Sequence, residues 1–306
     1  MFLKNFKKTS PFSIVFFIVF SVVFCLIPIL NNPIDEIYHH SFFSSITVFV
    51  LSFFLPLFQS VGLNNLTYEK DVIKKNNLVL APIFLLLGTP YISNLDGWII
   101  SFILLFYLNT LFSSYQKDRP FSQSFNANFI LGSIGIFYSE ILLLYPLIIV
   151  VLLTFSNLSL RSVIISLMGL LIPLLFYKIY TSLFGIEFSL DFPMYSFSLP
   201  IIPSIKNMPY AEIIWYSLLI LIILFSFMEL FFWLYKKSIR SRKSYIITLF
   251  YLLILIFVDL TDSYYLFLSP IAIISANFFV YSKRTLLTEI LFFLFIVSSI
   301  FYRTSI

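Results

Sequence analysis

The chain has 306 residues, of which 60% are apolar, 20% aromatic and only 11% charged, and its mean hydropathy is +1.01. Soluble domains carry about 25% charged residues, so this composition excludes a water-soluble fold. The formal net charge of +5 comes from short basic clusters between apolar runs, a pattern typical of membrane topology and not of nucleic-acid binding. Cys25 is the only cysteine, which excludes an internal disulfide and a cysteine-based zinc site.

Eleven apolar runs follow one another along the chain, and most have about the length that crosses a bilayer as a helix. They cover residues 12–30, 43–63, 78–94, 98–115, 122–137, 140–155, 162–183, 210–235, 244–260, 263–281 and 285–302. We therefore predict an all-α bundle of about eleven spans that forms a single transmembrane domain over residues 1–306, without a separate soluble domain. No small-residue cleavage site follows the first run, so we expect it to be a retained helix and not a signal peptide.

The basic residues fix the predicted orientation. With the N-terminus in the cytoplasm and the C-terminus extracytoplasmic, 16 of the 19 Lys and Arg residues lie on the inner side, as the positive-inside rule requires. Only Lys178, Lys206 and Arg303 are then outside. If the two shortest runs, 122–137 and 140–155, formed a single span, the predicted orientation of every later helix would be reversed. We therefore predict two separate spans.

Tryptophan and glycine refine this layout. Trp98, Trp215 and Trp233 lie near the ends of runs, where we expect them to anchor helices at headgroup depth. The seven glycines form neither a phosphate-cradling loop nor a GxxxG packing face, so nucleotide binding on a glycine-rich loop is not expected.

The carboxylates are distributed oppositely to the lysines. Nine of them fall at or near predicted outer ends of helices: Asp35, Glu36, Asp96, Glu140, Glu187, Asp191, Glu212, Asp259 and Asp262. One interpretation is an extracytoplasmic cleft lined with carboxylates. The other is that acidic residues simply complement the basic side, although acids follow topology only weakly.

The densest polar group lies in the first outer loop, directly after the first run. Asp35, Glu36, His39 and His40 could supply a general base, a phosphate contact or ligands for a divalent metal, the one cofactor that the sequence suggests. If the loop is helical from Asp35, each carboxylate shares a helix face with a histidine four residues later and would orient its imidazole. A solvated loop cap explains the same residues.

This layout resembles the membrane glycosyltransferases of the C superfamily, which use polyprenyl-phosphate sugars. The likeness rests on the acidic pair Asp35-Glu36 beyond the first helix, the outer turns near Asp96 and at Tyr138-Ser139-Glu140, and about eleven spans with the N-terminus inside. It implies that Asp35 acts as the base that deprotonates an acceptor hydroxyl, with Glu36 as its neighbour or a metal contact, and Glu140 at the rim. The stretch from Leu66 to Pro173 also resembles an uncharacterised family of polytopic bacterial inner-membrane proteins, and this implies location in that membrane.

The glycosyltransferase interpretation requires further substrate contacts on the outer side. A leaving phosphate needs a cation, and Lys178 and Lys206 are better placed in the sequence than Arg303, although Lys178 could also snorkel to the interface. The predicted substrate-binding residues are His39, His40, Tyr138, Glu140, Lys178, Asp191 and Lys206. Asp191 and Lys206 belong to the loop 184–209, a cover over the cleft or a linker.

Two carboxylates, Glu229 and Glu289, lie inside apolar runs. Each could pair with a nearby basic residue at the surface, or form part of a proton or cation path that Asn109 and Asn277 could join. Three hypotheses follow: a glycosyltransferase with a polyprenyl-phosphate sugar, a non-catalytic subunit of an envelope complex with a protein partner, and a proton-coupled or lipid transporter. Membrane lipids are expected partners of all three, and nucleic acid of none.

Overall fold

The computed structural model describes residues 2–30, 33–38, 40, 42–92, 94–185, 208–256 and 264–305, without the side chain of Glu36. Every regular element in these ranges is helical, which confirms the predicted all-α class. The helices are α1 Phe2–Phe6, α2 Pro11–Leu26, α3 Ile34–Ile37, α4 Ser45–Glu69, α5 Leu80–Leu87, α6 Leu95–Phe112, α7 Phe121–Gly135, α8 Pro146–Thr154, α9 Leu160–Phe184, α10 Tyr210–Trp233, α11 Ile239–Leu255, α12 Leu268–Tyr281 and α13 Thr285–Ser305. Short 3₁₀ turns lie at Ile27–Leu30, Thr89–Tyr91, Ser139–Leu144, Leu234–Lys236 and Tyr264–Phe267.

In the described ranges, seven helical segments are long and apolar enough to cross a membrane. They are Pro11–Leu30, Ser45–Glu69, Leu95–Phe112, Leu160–Phe184, Tyr210–Lys236, Tyr264–Tyr281 and Thr285–Ser305. The runs 78–94, 122–137, 140–155 and 244–260 correspond to shorter helices. For example, α5 has 8 residues, which extend about 12 Å, whereas the hydrocarbon core measures about 30 Å. The multi-pass architecture is supported, while the count of eleven is not confirmed and the orientation stays a prediction.

The surface of the long helices is apolar. Of the 18 consecutive residues that form the most apolar stretch of α9, only 22% are buried. The side chains of Leu167, Leu175 and Phe176 are exposed. A water-soluble protein rarely exposes such continuous apolar faces, whereas lipid solvates them. The segment Tyr264–Tyr281 differs, because 94% of its residues are buried.

Serine side chains begin four of the helices. Ser10, Ser44, Ser159 and Ser238 precede α2, α4, α9 and α11, and each side chain accepts a hydrogen bond from the backbone N–H three residues later. This bond satisfies one of the backbone donors that the first helical turn leaves unpaired. The Ser-x-x-Ser or Ser-x-x-Thr pattern therefore fixes where these helices start.

The chain divides into two compact units. The first comprises Met1–Ile99, Phe197–Lys237 and Ile271–Ile306, and the second Ile100–Ser196 and Ser238–Pro270. In the first unit α10 packs on α13, where the Trp215 indole N–H donates to Ser299 Oγ at 3.0 Å. Trp215 and Trp98 are both buried, so they are interior side chains and not the headgroup anchors that we predicted.

In the second unit α7 and α9 approach closely through two glycines. A Cβ on Gly132 would lie 2.5 Å from the Leu170 carbonyl oxygen, and one on Gly169 would lie 2.5 Å from that of Phe125. The sequence contains no GxxxG motif, yet single glycines on two helices produce the same close backbone contact.

We expect Gly132→Ala to lower the thermal stability of the purified protein. The added methyl group would meet a backbone oxygen that cannot rotate away, and overpacking of this kind costs about 1–3 kcal/mol. The measurement is the apparent melting temperature in detergent. Ser133→Ala on the same helix is the control, because it removes only the bond from Ser133 Oγ to the Phe129 carbonyl. A melting temperature of Gly132→Ala equal to that of Ser133→Ala would contradict the packing argument.

Candidate functional site

A small cavity in the first unit is lined by apolar side chains and by side chains from five parts of the chain that have a polar or charged group. Cys25 comes from the end of α2, Tyr38 follows α3, Ser52 belongs to α4, Trp98 lies in the first turns of α6, and Arg303 lies near the end of α13. The cavity has a volume of about 20 Å³. One water molecule requires roughly 10–15 Å³, so the cavity admits a water-sized group.

Arg303 is the chemically decisive residue of the cavity. Its side chain is 7% exposed, Nη1 donates to the Phe24 carbonyl oxygen at 2.7 Å, and the guanidinium lies 3.6 Å from the centroid of the Phe24 ring. Nε has no hydrogen-bond partner among the described residues. Within the described ranges, no carboxylate oxygen comes within 4.0 Å of this guanidinium. Arg303 therefore presents a buried positive charge that the described residues do not neutralise.

Two neighbouring hydroxyl groups have no oxygen or nitrogen partner among the described residues. They belong to Tyr38 and Ser52, which are 0% and 6% exposed. The Cys25 thiol lies beside the Tyr38 hydroxyl but is a weak acceptor. Burial raises the pKa of Tyr38, so its phenol stays protonated and can donate. A guanidinium N–H and two hydroxyl groups around one cavity form a set of donors that suits an anionic oxygen.

A histidine–carboxylate contact lies close to this cavity in sequence and in space. His40 Nε2 is 3.4 Å from Asp96 Oδ1, and the backbone N–H of Phe42 donates to His40 Nδ1 at 3.1 Å. Because Nδ1 accepts, the hydrogen of a neutral imidazole is on Nε2 and faces Asp96. His40 follows Tyr38 by two residues, and Asp96 precedes Trp98 by two. The contact therefore connects the two chain segments that contain the cavity-lining residues Tyr38 and Trp98.

The predicted residues of the first outer loop have different outcomes. Asp35 lies on α3 with an exposed side chain, three residues before Tyr38. The side chain of Glu36 and the whole of His39 lie outside the described residues. Since α3 ends at Ile37, His40 is not part of that helix, and its described carboxylate partner is Asp96.

The other predicted substrate contacts belong to the second unit or lie outside the described residues. Tyr138 and Glu140 are half-buried at the start of the turn Ser139–Leu144, and Lys178 is exposed near the end of α9. Asp191 and Lys206 are outside the described residues. The predicted convergence of Asp35, Glu140 and Lys178 in one cavity stays a prediction.

Sequence reasoning ranked Arg303 below the two lysines and so missed the residue that lines the cavity. A signal was present in the helical spacing. Thr288, Phe292, Phe295, Ser299 and Arg303 recur every three or four residues and form the buried face of α13. An arginine in register with a buried face, and not with the lipid-facing one, is placed in the interior.

The two carboxylates inside apolar runs have local partners. Glu289 accepts hydrogen bonds from the backbone N–H groups of Leu3 and Lys4 at 3.3 and 3.2 Å, at the start of α1. Glu229 interacts electrostatically with Lys237. These contacts favour the local-pairing interpretation over a proton path, although Glu289 bonds to backbone N–H groups of α1 and not to a basic side chain at the surface.

Within the described ranges, no three His, Cys, Asp or Glu side chains come together as metal ligands. The sequence suggested a divalent metal at the outer acidic cluster, and part of that cluster lies outside these ranges. No protein-family model, curated protein or solved structure matches the chain.

We expect Arg303→Met to leave the thermal stability of the ligand-free protein unchanged or to raise it. Methionine has a similar volume, and replacing a buried charge by an apolar side chain is often neutral or stabilising by about 1–4 kcal/mol. The measurement is the apparent melting temperature without added anions.

Ser299→Ala on the same face of α13 provides the contrast. It leaves the buried Trp215 N–H without its acceptor, a loss that costs about 1–3 kcal/mol, so this variant should melt earlier. If Arg303→Met destabilises the protein as much as Ser299→Ala does, then Arg303 has a structural role through Phe24 and not a binding role.

Proposed function

We propose that the protein is a multi-pass membrane glycosyltransferase that moves a sugar from a polyprenyl-phosphate donor at the extracytoplasmic face. The observation that supports this proposal most is the buried Arg303 guanidinium, which has no carboxylate partner among the described residues and opens on a cavity of hydrogen-bond donors. Arginine is well suited to bind the oxygens of phosphate and of carboxylate groups, and a polyprenyl-phosphate donor supplies the phosphate.

In this proposal each side chain has a distinct role. Asp35 accepts the proton of the acceptor hydroxyl, and the hydroxyl oxygen forms a bond to the anomeric carbon of the sugar. The bond from that carbon to the phosphate oxygen breaks, and the phosphate leaves with the electron pair. Arg303, Tyr38 and Ser52 donate hydrogen bonds to one phosphate oxygen, because the cavity admits a group of that size, while the rest of the donor stays outside it.

The predicted topology is consistent with this assignment. The cavity lies where α2 ends, α4 and α6 begin and α13 ends, and the distribution of lysines assigns each of these four points to the outer side. Residues assigned to the inner side also meet one another, since Tyr281 contacts Lys74, Lys75 and Lys237. A lipid-linked donor from the outer leaflet would therefore reach the end of the unit that contains Asp35 and Arg303.

The transporter hypothesis has less support. It depended on Glu229 and Glu289 as members of an ion path, and both carboxylates are engaged locally. No contact in the described part of the chain specifically favours the non-catalytic subunit.

We expect Asp35→Asn to abolish transfer while the protein still inserts and accumulates normally. The amide cannot accept the hydroxyl proton, and loss of a general base typically reduces the rate by about 10²–10⁴-fold. The measurement is release of polyprenyl phosphate from a panel of polyprenyl-phosphate sugars by the protein reconstituted in liposomes. Asp118→Asn is the matched control, because Asp118 is an exposed carboxylate of the second unit.

Two results would contradict the proposal. One is an inactive wild-type protein across the whole panel of donors. The other is an Asp35→Asn variant that turns over the donor as fast as wild type. Binding of the donor by Arg303→Met with unchanged affinity would remove Arg303 from the mechanism even if Asp35 is required.

A further inference from the structure

A second polar feature of the first unit is a group of lysines that lie on aromatic rings. It lies where α10 and α12 end and α13 begins, together with the loop after α4. We call it the lysine–aromatic cluster, and it consists of Lys75, Trp233, Lys236, Lys237, Tyr281 and Lys283.

Tyr281 carries an ammonium group from each of two segments. Lys237 Nζ is 4.2 Å and Lys75 Nζ is 5.0 Å from the centroid of its ring. The Tyr281 hydroxyl accepts a hydrogen bond from the Lys74 backbone N–H at 3.1 Å, and Lys237 Nζ donates to Asn277 Oδ1 at 2.6 Å. The loop after α4 and the end of α10 are thus both fastened to the end of α12.

Trp233 has the same arrangement with a second pair of lysines. Lys236 Nζ is 4.1 Å and Lys283 Nζ is 5.0 Å from its ring. Cation–π contacts at exposed sites contribute about 0.5–1 kcal/mol each, so they orient these flexible side chains without neutralising their charge. Because these lysine side chains are ordered before a ligand binds, binding costs less conformational entropy.

The cluster holds more positive charge than its surroundings compensate. No carboxylate oxygen of the described chain comes within 4.0 Å of Lys75, Lys236 or Lys283. Glu229 lies near Lys237, yet burial outweighs its effect and lowers the pKa of Lys237 to about 8. Four ammonium groups held together at the end of a membrane helix bundle repel one another unless an anion joins them.

We propose that the lysine–aromatic cluster binds the phosphate group of an anionic phospholipid. Basic pockets between transmembrane helices on the lysine-rich side suit such headgroups. Trp233 and Tyr281 are the last residues of their helices, and aromatic side chains at the ends of membrane spans favour the depth of the lipid headgroups. The site is separate from the Arg303 cavity in its residues and does not depend on the glycosyltransferase proposal.

The test measures retention of phosphatidylglycerol and phosphatidylcholine by native mass spectrometry of the purified protein. Wild type should retain phosphatidylglycerol preferentially. Each lysine near an anionic lipid surface contributes a factor of about five in binding, so Lys75→Gln/Lys283→Gln should reduce retention roughly 25-fold. Both lysines are exposed, so we expect the variant to fold like wild type. A melting temperature in phosphatidylcholine equal to that of wild type would confirm correct folding.

Two control variants separate a built site from general attraction of charge. Lys117→Gln/Lys243→Gln removes two lysines of the second unit and should retain phosphatidylglycerol like wild type. Tyr281→Phe keeps the ring under Lys75 and Lys237 and should retain the lipid better than Tyr281→Leu, which removes the ring.

The proposal fails if the Lys75→Gln/Lys283→Gln variant retains the lipid normally, or if the control pair of lysines matters equally. A third arm adds inorganic phosphate in place of lipid. If inorganic phosphate stabilises the protein as much as phosphatidylglycerol does, the ligand is a free anion and not a lipid.

Discussion

A buried guanidinium without a carboxylate among the described residues is the constraint that the rest of this structure must accommodate. Arg303 lies within a span. Its guanidinium donates a hydrogen bond to the Phe24 carbonyl oxygen and contacts the Phe24 ring. Moving an ion from water into a protein interior costs on the order of several kcal/mol before any partner offsets this cost. The surrounding helices must therefore be stable enough to hold the side chain in an environment that disfavours its charge. This is the usual relation between a preorganised binding group and the scaffold that supports it.

The scaffold meets this demand by satisfying polar groups elsewhere. Trp215 bonds to Ser299, Asn64 donates to the Asn77 carbonyl, and Glu289 receives two backbone N–H groups at the start of α1. Asn128 Oδ1, the Tyr251 hydroxyl and Ser275 Oγ also lack partners among the described residues. The atoms of Arg303, Tyr38 and Ser52 differ from them because they meet around a single cavity. Buried polar atoms without protein partners mark either a site that binds a small group or a strained site, and three donors around a water-sized space favour binding.

The sequence predicted the helical class and the positions of the apolar runs, because both depend on local composition. Length was predicted less well. The run 78–94 contains Pro82 and Pro90 and forms α5 followed by a 3₁₀ turn, and hydropathy alone does not distinguish this from a straight span. Burial depends on neighbours that are distant in the chain, so Trp98 was expected at the membrane interface and lies in the interior. The loop residue Asp35 could be nominated from sequence, but the pairing of His40 with Asp96 could not, since 56 residues separate them.

The two polar features of the first unit have opposite designs, and the difference follows from what surrounds each charge. Arg303 is enclosed, so its charge acts at short range and with little screening on one small group. The lysines around Trp233 and Tyr281 are mostly exposed, so each contributes weakly and only their number produces affinity. A guanidinium in a closed cavity suits discrimination among anionic substrates, whereas several ammonium groups on aromatic rings suit retention of an abundant lipid. The Arg303 cavity is therefore the part of this molecule where chemical specificity can arise, and the lysine–aromatic cluster is the part where affinity for the membrane can.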